Sequence, residues 1–422
     1  MRRRSVPLPA RGGRTEDWHV VLVVENLPMG ADHRLRKQVD TLLARGCRVT
    51  VISPRDDVNA AYRARQGVRL LEYVAAPELR GPIGHVVEYA WSGTAVSLLL
   101  LAVRLRRRVD VVQLCQPPDI YFPIAGLLRR TGTRVVVDQR DLMPELLVAR
   151  YPGAPGRAVD FLHLLERRTQ RAVDHTITVN EHLRRRLEAA GGQGRVSVVW
   201  NGPVLARVDA VRPSPEVRAA GGPLVVWVGK MGVQDRVELV VEAAERVINA
   251  GERRAVRFVL IGDGECLEDL RALVRRRGLD ASVTFTGWVP EETVFGYLAR
   301  ADAGIDTSLQ HEVTPVKALE YMSFGLAFAA FDLPETRRLA GDAAVLAPPG
   351  DVDALARSLI ELIDDVPRRT VLGRAGRHRV EKSLAWERQE ASYLAIVGPS
   401  STPPQRARGR GRFCRAPRPP QA

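Results

Sequence analysis

The sequence predicts an α/β protein made of two doubly wound domains in tandem, facing one another across a cleft. Three observations predict it. Short runs rich in Val, Ile and Leu recur along the chain, as parallel strands covered on both faces require. Helical stretches separate them. The whole alternation occurs twice, on either side of PVLARVDAVRPSPEVRAAGG (203–222), which has linker composition.

In the first half, HVVLVVE (19–25) reads as a strand, and Asp32 as the cap of a helix running to Ala44. RVTVIS (48–53), VDVVQLC (109–115), TRVVVD (133–138), HTITV (175–179) and RVSVVW (195–200) read as further strands. The second half repeats the scheme with LVVWVG (224–229), VRFVLIG (256–262), SVTFTG (282–287), AGIDT (303–307) and LAFAAF (326–331). The expected divisions are a disordered basic N-terminus (1–17), a first domain (18–205) and a linker (206–222). A second domain (223–383), a C-terminal helix packing back on the first domain (384–396) and a disordered Arg/Pro-rich tail (397–422) follow. In such sheets ligands bind beyond the carboxyl ends of the strands, which places a site in the cleft.

Composition narrows the function classes. Cys47, Cys115, Cys266 and Cys414 are far apart and form no CxxC pair, which speaks for a reducing compartment and against structural zinc. Neither His33, His163 and His182 nor any other group has metal-ligand spacing, so no metal is expected. The apolar run 94–103 is too short to span a bilayer, and no apolar signal core follows the N-terminal arginines, so a cytoplasmic protein is expected. The net charge of +14 is uneven. Residues 18–215 hold 29 basic and 19 acidic residues, a balance of +10; residues 216–396 hold 23 and 28, a balance of −5. Only the first half is suited to an anionic surface, and the arginines behind 90–103 point to peripheral contact with the inner face of a membrane. The tails lack interleaved aromatics apart from Phe413, so specific nucleic-acid binding is not expected.

The stretch 311–338, HEVTPVKALEYMSFGLAFAAFDLPETRR, carries the most chemistry. Thr314 and Pro315 read as the cap and first residue of a helix that Gly325 ends. Glu312 stands just before that helix and Glu320 on it, seven residues apart. A helix N-terminus seats phosphate, and carboxylates on either side can accept hydrogen bonds from sugar hydroxyls. DVD (351–353) follows PPG and opens a helix, so it reads as a cap rather than a metal site.

This window resembles the glutamate-x7-glutamate motif of the retaining glycosyltransferases of family 4, which have the GT-B fold. KALEYMSFGLAFAAFDLPETR extends the resemblance. In the first half so do DHRLRKQVDTLLARGCRVTVISP, CQPPDIYFPIAGLL, VVVDQRDLMPELL, FLHLLERRTQRAVDHTITVNEHL and VVWNGP, over about residues 18–396. The resemblance implies transfer from a nucleotide-sugar, UDP- or GDP-linked, to a glycan or lipid-linked acceptor, with retained configuration and without a cofactor. It implies a catalytic set of Glu312, Arg140 and Asp141. It implies donor contacts from Gly229, Lys230, Gly232, Arg236, Gly262, Gly264, Thr314, Pro315, Val316, Lys317 and Glu320. Asp32, Arg34, Gln139 and Glu145 fall on the acceptor side.

Two positions depart from the family pattern. Asp235 stands where a lysine is usual, followed by Arg236 where a related pattern has glycine. Arg140 stands where a histidine is common; a guanidinium cannot shuttle a proton but can hold a phosphate. A non-hydrolysing epimerase of the same fold, a catalytically weakened nucleotide-sugar binder and a nonspecific nucleic-acid binder remain as alternatives.

Overall fold

The computed structural model describes residues 17–76, 81–151, 153–212, 221–251, 255–310 and 314–399. Residues 1–16 and 400–422 of the expected tails, 213–220 of the linker and Glu312 lie outside the described residues.

Seven parallel strands form the first sheet: β1 (His19–Val23), β2 (Arg48–Pro54), β3 (Val68–Tyr73), β4 (Val111–Gln116), β5 (Arg134–Gln139), β6 (His175–Thr178) and β7 (Val196–Val198). Their order is β3-β2-β1-β4-β5-β6-β7. Six parallel strands form the second: β8 (Leu224–Val228), β9 (Arg257–Ile261), β10 (Val283–Gly287), β11 (Ala303–Asp306), β12 (Phe328–Phe331) and β13 (Ala344–Ala347), ordered β10-β9-β8-β11-β12-β13. The order reverses between β1 and β4 and again between β8 and β11, and ligand crevices open at such switch points.

Both faces of each sheet are covered. Val20 and Leu22 face the helix His33–Ala44, while Val21 and Val23 face the helix Gly81–Arg106; all four are fully buried. In the second sheet Val225 and Trp227 pack on one side and Leu224 and Val226 on the other. Each such side chain contributes about 1.5–3 kcal/mol on burial. That two-sided burial is why the strands read as continuous apolar runs.

Strands β3 and β13 were not anticipated. VRLLEY mixes charge with apolar residues, and AVLA is only four residues long. Asp32 caps the helix His33–Ala44 as expected, accepting from the Leu35 amide at 2.9 Å. The helix Trp386–Val397 lies on the first domain. Its Trp386 Nε1 donates to Thr41 Oγ1 at 2.9 Å, Tyr393 Oη to Gln113 Oε1 at 2.9 Å, and Trp18 Nε1 donates to the Val397 carbonyl at 3.1 Å.

The apolar run 94–103 belongs to a longer element than the sequence reading allowed. Residues Gly84–Arg106 make 23 helical residues with mean hydropathy 1.6, long and apolar enough to cross a membrane by length and composition. One face, with Ser92, Val96, Leu100 and Val103, is built into the first domain.

Candidate active site

The loops after β8, β9 and β10 are laced together by backbone. The Gly229 amide donates to the Ile261 carbonyl at 3.0 Å, Met231 to Asp263 at 2.9 Å, Cys266 to Met231 at 3.0 Å and Gly262 to Gly287 at 3.2 Å. The approach is too close for side chains. A Cβ on Gly262 would come 1.9 Å from the Gly229 carbonyl oxygen, and one on Gly264 2.5 Å from that of Met231. Bare backbone therefore forms the floor of the second domain's cleft surface, and Lys230 stands exposed on it. Gly232 leads into a short turn that ends at Arg236, whose φ of 51° is left-handed. That backbone suits glycine, the residue the related pattern has there. The Arg236 guanidinium pairs with Glu238.

The helix Val316–Ser323 runs behind this floor. Lys317 Nζ lies 3.4 Å from Asp306 Oδ1 and 3.7 Å from Asp235 Oδ1, with the Trp227 ring 5.2 Å away. Burial alone would lower the Lys317 ammonium; Asp306 and Asp235 outweigh it and raise its pKa. Lys317 thus neutralises Asp306 and Asp235 from a neighbouring element. Val316 is exposed and Pro315 buried.

Thr314 does not cap this helix, which has no side-chain cap. Its hydroxyl is used across the cleft instead, donating to the Val179 carbonyl at 3.3 Å and accepting from Asn180 Nδ2 at 3.0 Å. The neighbouring segment 311–313, with Glu312, is outside the described residues.

Glu320 is half-buried, within electrostatic reach of the first domain's helix His33–Ala44. Burial pushes its carboxyl up to about 7, against the pull of His33 and Lys37 from the helix His33–Ala44. Lys37 is pushed down to about 7, first by burial and then by Arg34. Its ammonium donates to Asn201 Oδ1 at 2.8 Å and the Gly202 carbonyl at 2.6 Å. A second crossing sits nearby. Glu291 Oε2 lies 2.9 Å from His33 Nδ1 and 3.1 Å from an Arg36 nitrogen, and Glu291 Oε1 lies 2.8 Å from Arg207. Burial would raise the Glu291 carboxyl, but His33, Arg207 and Arg36 hold it down at about 2.

The first-domain candidates converge on one ion network. Arg140 Nη1 lies 2.5 Å from Asp32 Oδ2, Arg140 Nε 3.4 Å from Asp138 Oδ2, and Arg140 Nη2 3.4 Å from Cys115 Sγ. Arg34 grips Asp138 through Nε at 2.9 Å and Nη2 at 2.9 Å, and donates through Nη1 to the Val199 carbonyl at 2.8 Å. Burial alone would raise the Asp138 carboxyl; Arg34 and Arg140 outweigh it and hold it below its ordinary value. Two arginines thus neutralise two aspartates. Asp32 and Asp138 already pair with the Arg140 guanidinium that the sequence reading offers to a phosphate. Arg34, 3% exposed, stands behind the surface rather than on it.

The remaining first-domain candidates, Gln139, Asp141 and Glu145, lie at the end of β5 and just beyond it. Gln139 Nε2 donates to the Asp141 carbonyl at 2.9 Å. The Asp141 carboxyl is raised by burial against the pull of Arg140. Glu145 Oε1 lies 3.7 Å from Arg186 Nε. Away from the cleft, Asp351 accepts from the Ala354 amide at 2.8 Å, the capping geometry expected of it, and Asp353 pairs with Arg246.

Sequence reasoning missed His33, Lys37, Asn180, Glu291 and Asp306. His33 and Lys37 stand one turn apart on the capped helix, which was the available signal. Nothing local marks Glu291 or Asp306 as their partners' counterparts.

Two descriptions of known families fit this chain. That of Glycosyltransferase Family 4 matches residues 29–207, and that of Glycosyl transferases group 1 matches residues 222–365. The chain belongs to the family-4 group of glycosyltransferases. This family-4 member is 32% identical over 176 residues to the 2-deoxystreptamine N-acetyl-D-glucosaminyltransferase of Streptomyces fradiae, covering 39% of this chain and 42% of that protein. It is 24% identical over 397 residues to the GDP-mannose-dependent alpha-(1-6)-phosphatidylinositol monomannoside mannosyltransferase of Mycolicibacterium smegmatis, covering 84% and 91%. The chain spans about half the length of the first curated relatives it matches. Sucrose-phosphate synthase from Thermosynechococcus elongatus superposes with a TM-score of 0.73 at 18% identity, over 89% of this chain and 97% of that one. The shared architecture is GT-B.

Proposed function

We propose that this chain transfers a sugar from a UDP- or GDP-sugar to a glycan or lipid-linked acceptor, with retained anomeric configuration and without a metal. The observation that carries the reading is Glu320: a half-buried carboxyl on the helix whose Lys317 packs near Gly229 of the backbone floor, within electrostatic reach of Lys37 of the opposite domain. A ribose diol donates to such a carboxylate, and a diphosphate lies against backbone amides and the exposed Lys230. Arg236 adds charge at the same loop. Glu312, in the family motif, orients donor-sugar hydroxyls.

In the transfer, the acceptor oxygen bonds to the anomeric carbon as the bond to the diphosphate breaks. The acceptor proton passes to the departing phosphate oxygen, which gains basicity as it leaves. The chain's part is to hold the leaving diphosphate and keep water out. The contacts of Glu291 and Thr314 across the cleft are the kind that favour a closed state.

A thermal-shift panel of UDP- and GDP-sugars identifies the donor, since a ligand of the folded state raises Tm. The anomeric proton coupling of the product tests retention. One observation favours a second reading, a weakened binder: Arg140 is sequestered where the family commonly has histidine. Donor binding with no release of nucleoside diphosphate across an acceptor panel would favour it. No observation favours the epimerase reading.

A further inference from the structure

The helix Gly81–Arg106 has two apolar faces. Opposite its packed face, Val87 (42% exposed), Trp91 (53%), Leu98 (63%) and Leu105 (87%) recur at spacings of four, seven and seven, which aligns them on one side. The stripe covers about 27 Å at 1.5 Å per residue. Exposed apolar surface of this length is costly in water; Trp91 Nε1 donates to the Val74 carbonyl at 2.8 Å, which fixes the indole while leaving half of it exposed.

The basic end of the helix meets a second feature. A cavity of about 270 Å³ lies at the amino ends of the first-sheet strands, lined by His19, Arg48, Thr50, Arg69 and Arg107 among others. Among the described residues no carboxylate pairs with Arg48, Arg69, Arg106 or Arg107, although most arginines of the cleft and of the second domain are paired. Burial, ahead of all else, lowers the His19 imidazole below its ordinary pKa, with Arg48 and Arg107 adding to it, so the cavity's charge comes from its guanidinium groups. Three of these converging on one concave site suit a phosphate monoanion or diester.

We infer that this face docks on an anionic phospholipid surface, with the Val87–Leu105 stripe lying in the headgroup–acyl boundary and a headgroup phosphate held by Arg48, Arg69 and Arg107. The two features share a helix end: Leu105 and Arg107 are two residues apart. An apolar stripe with a tryptophan and a flanking block of unpaired arginines is the pattern of an interfacial helix. A soluble protein partner would explain the stripe but not the phosphate-sized arginine cavity. The charge balance agrees, since residues 18–215 carry +10 and residues 216–396 carry −5. The inference stands apart from the donor site, so it can fail while the transfer reaction holds.

The test uses the full chain and vesicles of phosphatidylcholine with or without phosphatidylglycerol. Flotation is expected with anionic vesicles at low salt and is expected to weaken as salt rises. Each of Arg48→Gln, Arg69→Gln and Arg107→Gln should weaken it by about fivefold. Leu98→Asn and Leu105→Asn should weaken it as well, and all five positions lie at the surface, so melting curves should stay unchanged. Because the arginine-rich tails could bind lipid by themselves, a second readout is needed. Acyl-brominated lipid should quench tryptophan fluorescence, and Trp91→Phe should abolish the quenching. Flotation insensitive to all five substitutions, with no quenching through Trp91, would overturn the inference. So would inorganic phosphate stabilising the chain while vesicles do not bind. A self-associating chain that Leu98→Asn renders monomeric, again without vesicle binding, would make the stripe a dimer face and sink it equally.

Discussion

Arg140 Nη1 lies 2.5 Å from Asp32 Oδ2, so the residue that caps the first long helix also neutralises the arginine at the end of β5. Asp138 closes the arrangement from the other side, held by Arg34. The network continues inward through Gln38, Gln113 and Tyr393, which ties the cleft wall to the C-terminal helix.

Arg140→Ala is therefore expected to destabilise the protein, by about 3–5 kcal/mol, because it strands the buried Asp32 carboxylate, while Asp138 keeps Arg34. The double variant with Asp32→Asn should recover much of the loss: asparagine keeps the cap and removes one stranded charge. Urea unfolding of the three variants and the parent measures this. An Arg140→Ala protein as stable as the parent would show that the network carries no net charge coupling.

Glu320 predicts a pH dependence. Its folded pKa is raised to about 7 from an ordinary value of 4.5. Between those values the folded state holds a proton that the unfolded state has lost, so this group's contribution falls as pH rises through the window. Glu320→Gln should thus gain stability relative to the parent from pH 5 to pH 8. Donor affinity should move the other way in the parent, strengthening as Glu320 ionises. Melting curves and calorimetry at both pH values check the pair; identical pH profiles for parent and variant would remove Glu320 as the titrating group.

Arg236 holds a left-handed backbone at a cost that glycine avoids, roughly 1 kcal/mol. Arg236→Gly should raise Tm while weakening nucleotide-sugar binding. A rise in Tm with unchanged affinity would reduce Arg236 to a surface cation. A fall in Tm would mean that its ion pair with Glu238 outweighs the strain.

Activity should persist in excess chelator. Asp351 is engaged as a helix cap and Asp353 with Arg246, and the diphosphate has cations and backbone amides to meet. Loss of turnover on chelation, restored by a divalent ion, would contradict this.

Much of the fold was legible because burial on both faces of parallel strands leaves a continuous apolar signature. Asp32 and Gly325 marked helix ends through chemistry local to them. The edge strand β3 was not legible because VRLLEY mixes charge with apolar residues, and β13 because AVLA is only four residues long. Nor was the fate of Arg140 legible, because Asp32 is 108 residues away and only folding brings it close. The same holds for Thr314, whose cap-like position was overridden by partners in the other domain. The helix around 84–106 hid its division of labour because both its faces are apolar.

The most direct test of the account is calorimetric titration of UDP- and GDP-sugars into the parent protein and into Glu320→Gln. The account predicts saturable binding of at least one nucleotide-sugar by the parent, and affinity lower by tenfold or more in a variant that melts as a folded protein, as loss of a hydrogen bond to a charged group implies, at about 1.5–3 kcal/mol. No binding of any nucleotide-sugar by the parent, or equal binding by a folded Glu320→Gln, would contradict it.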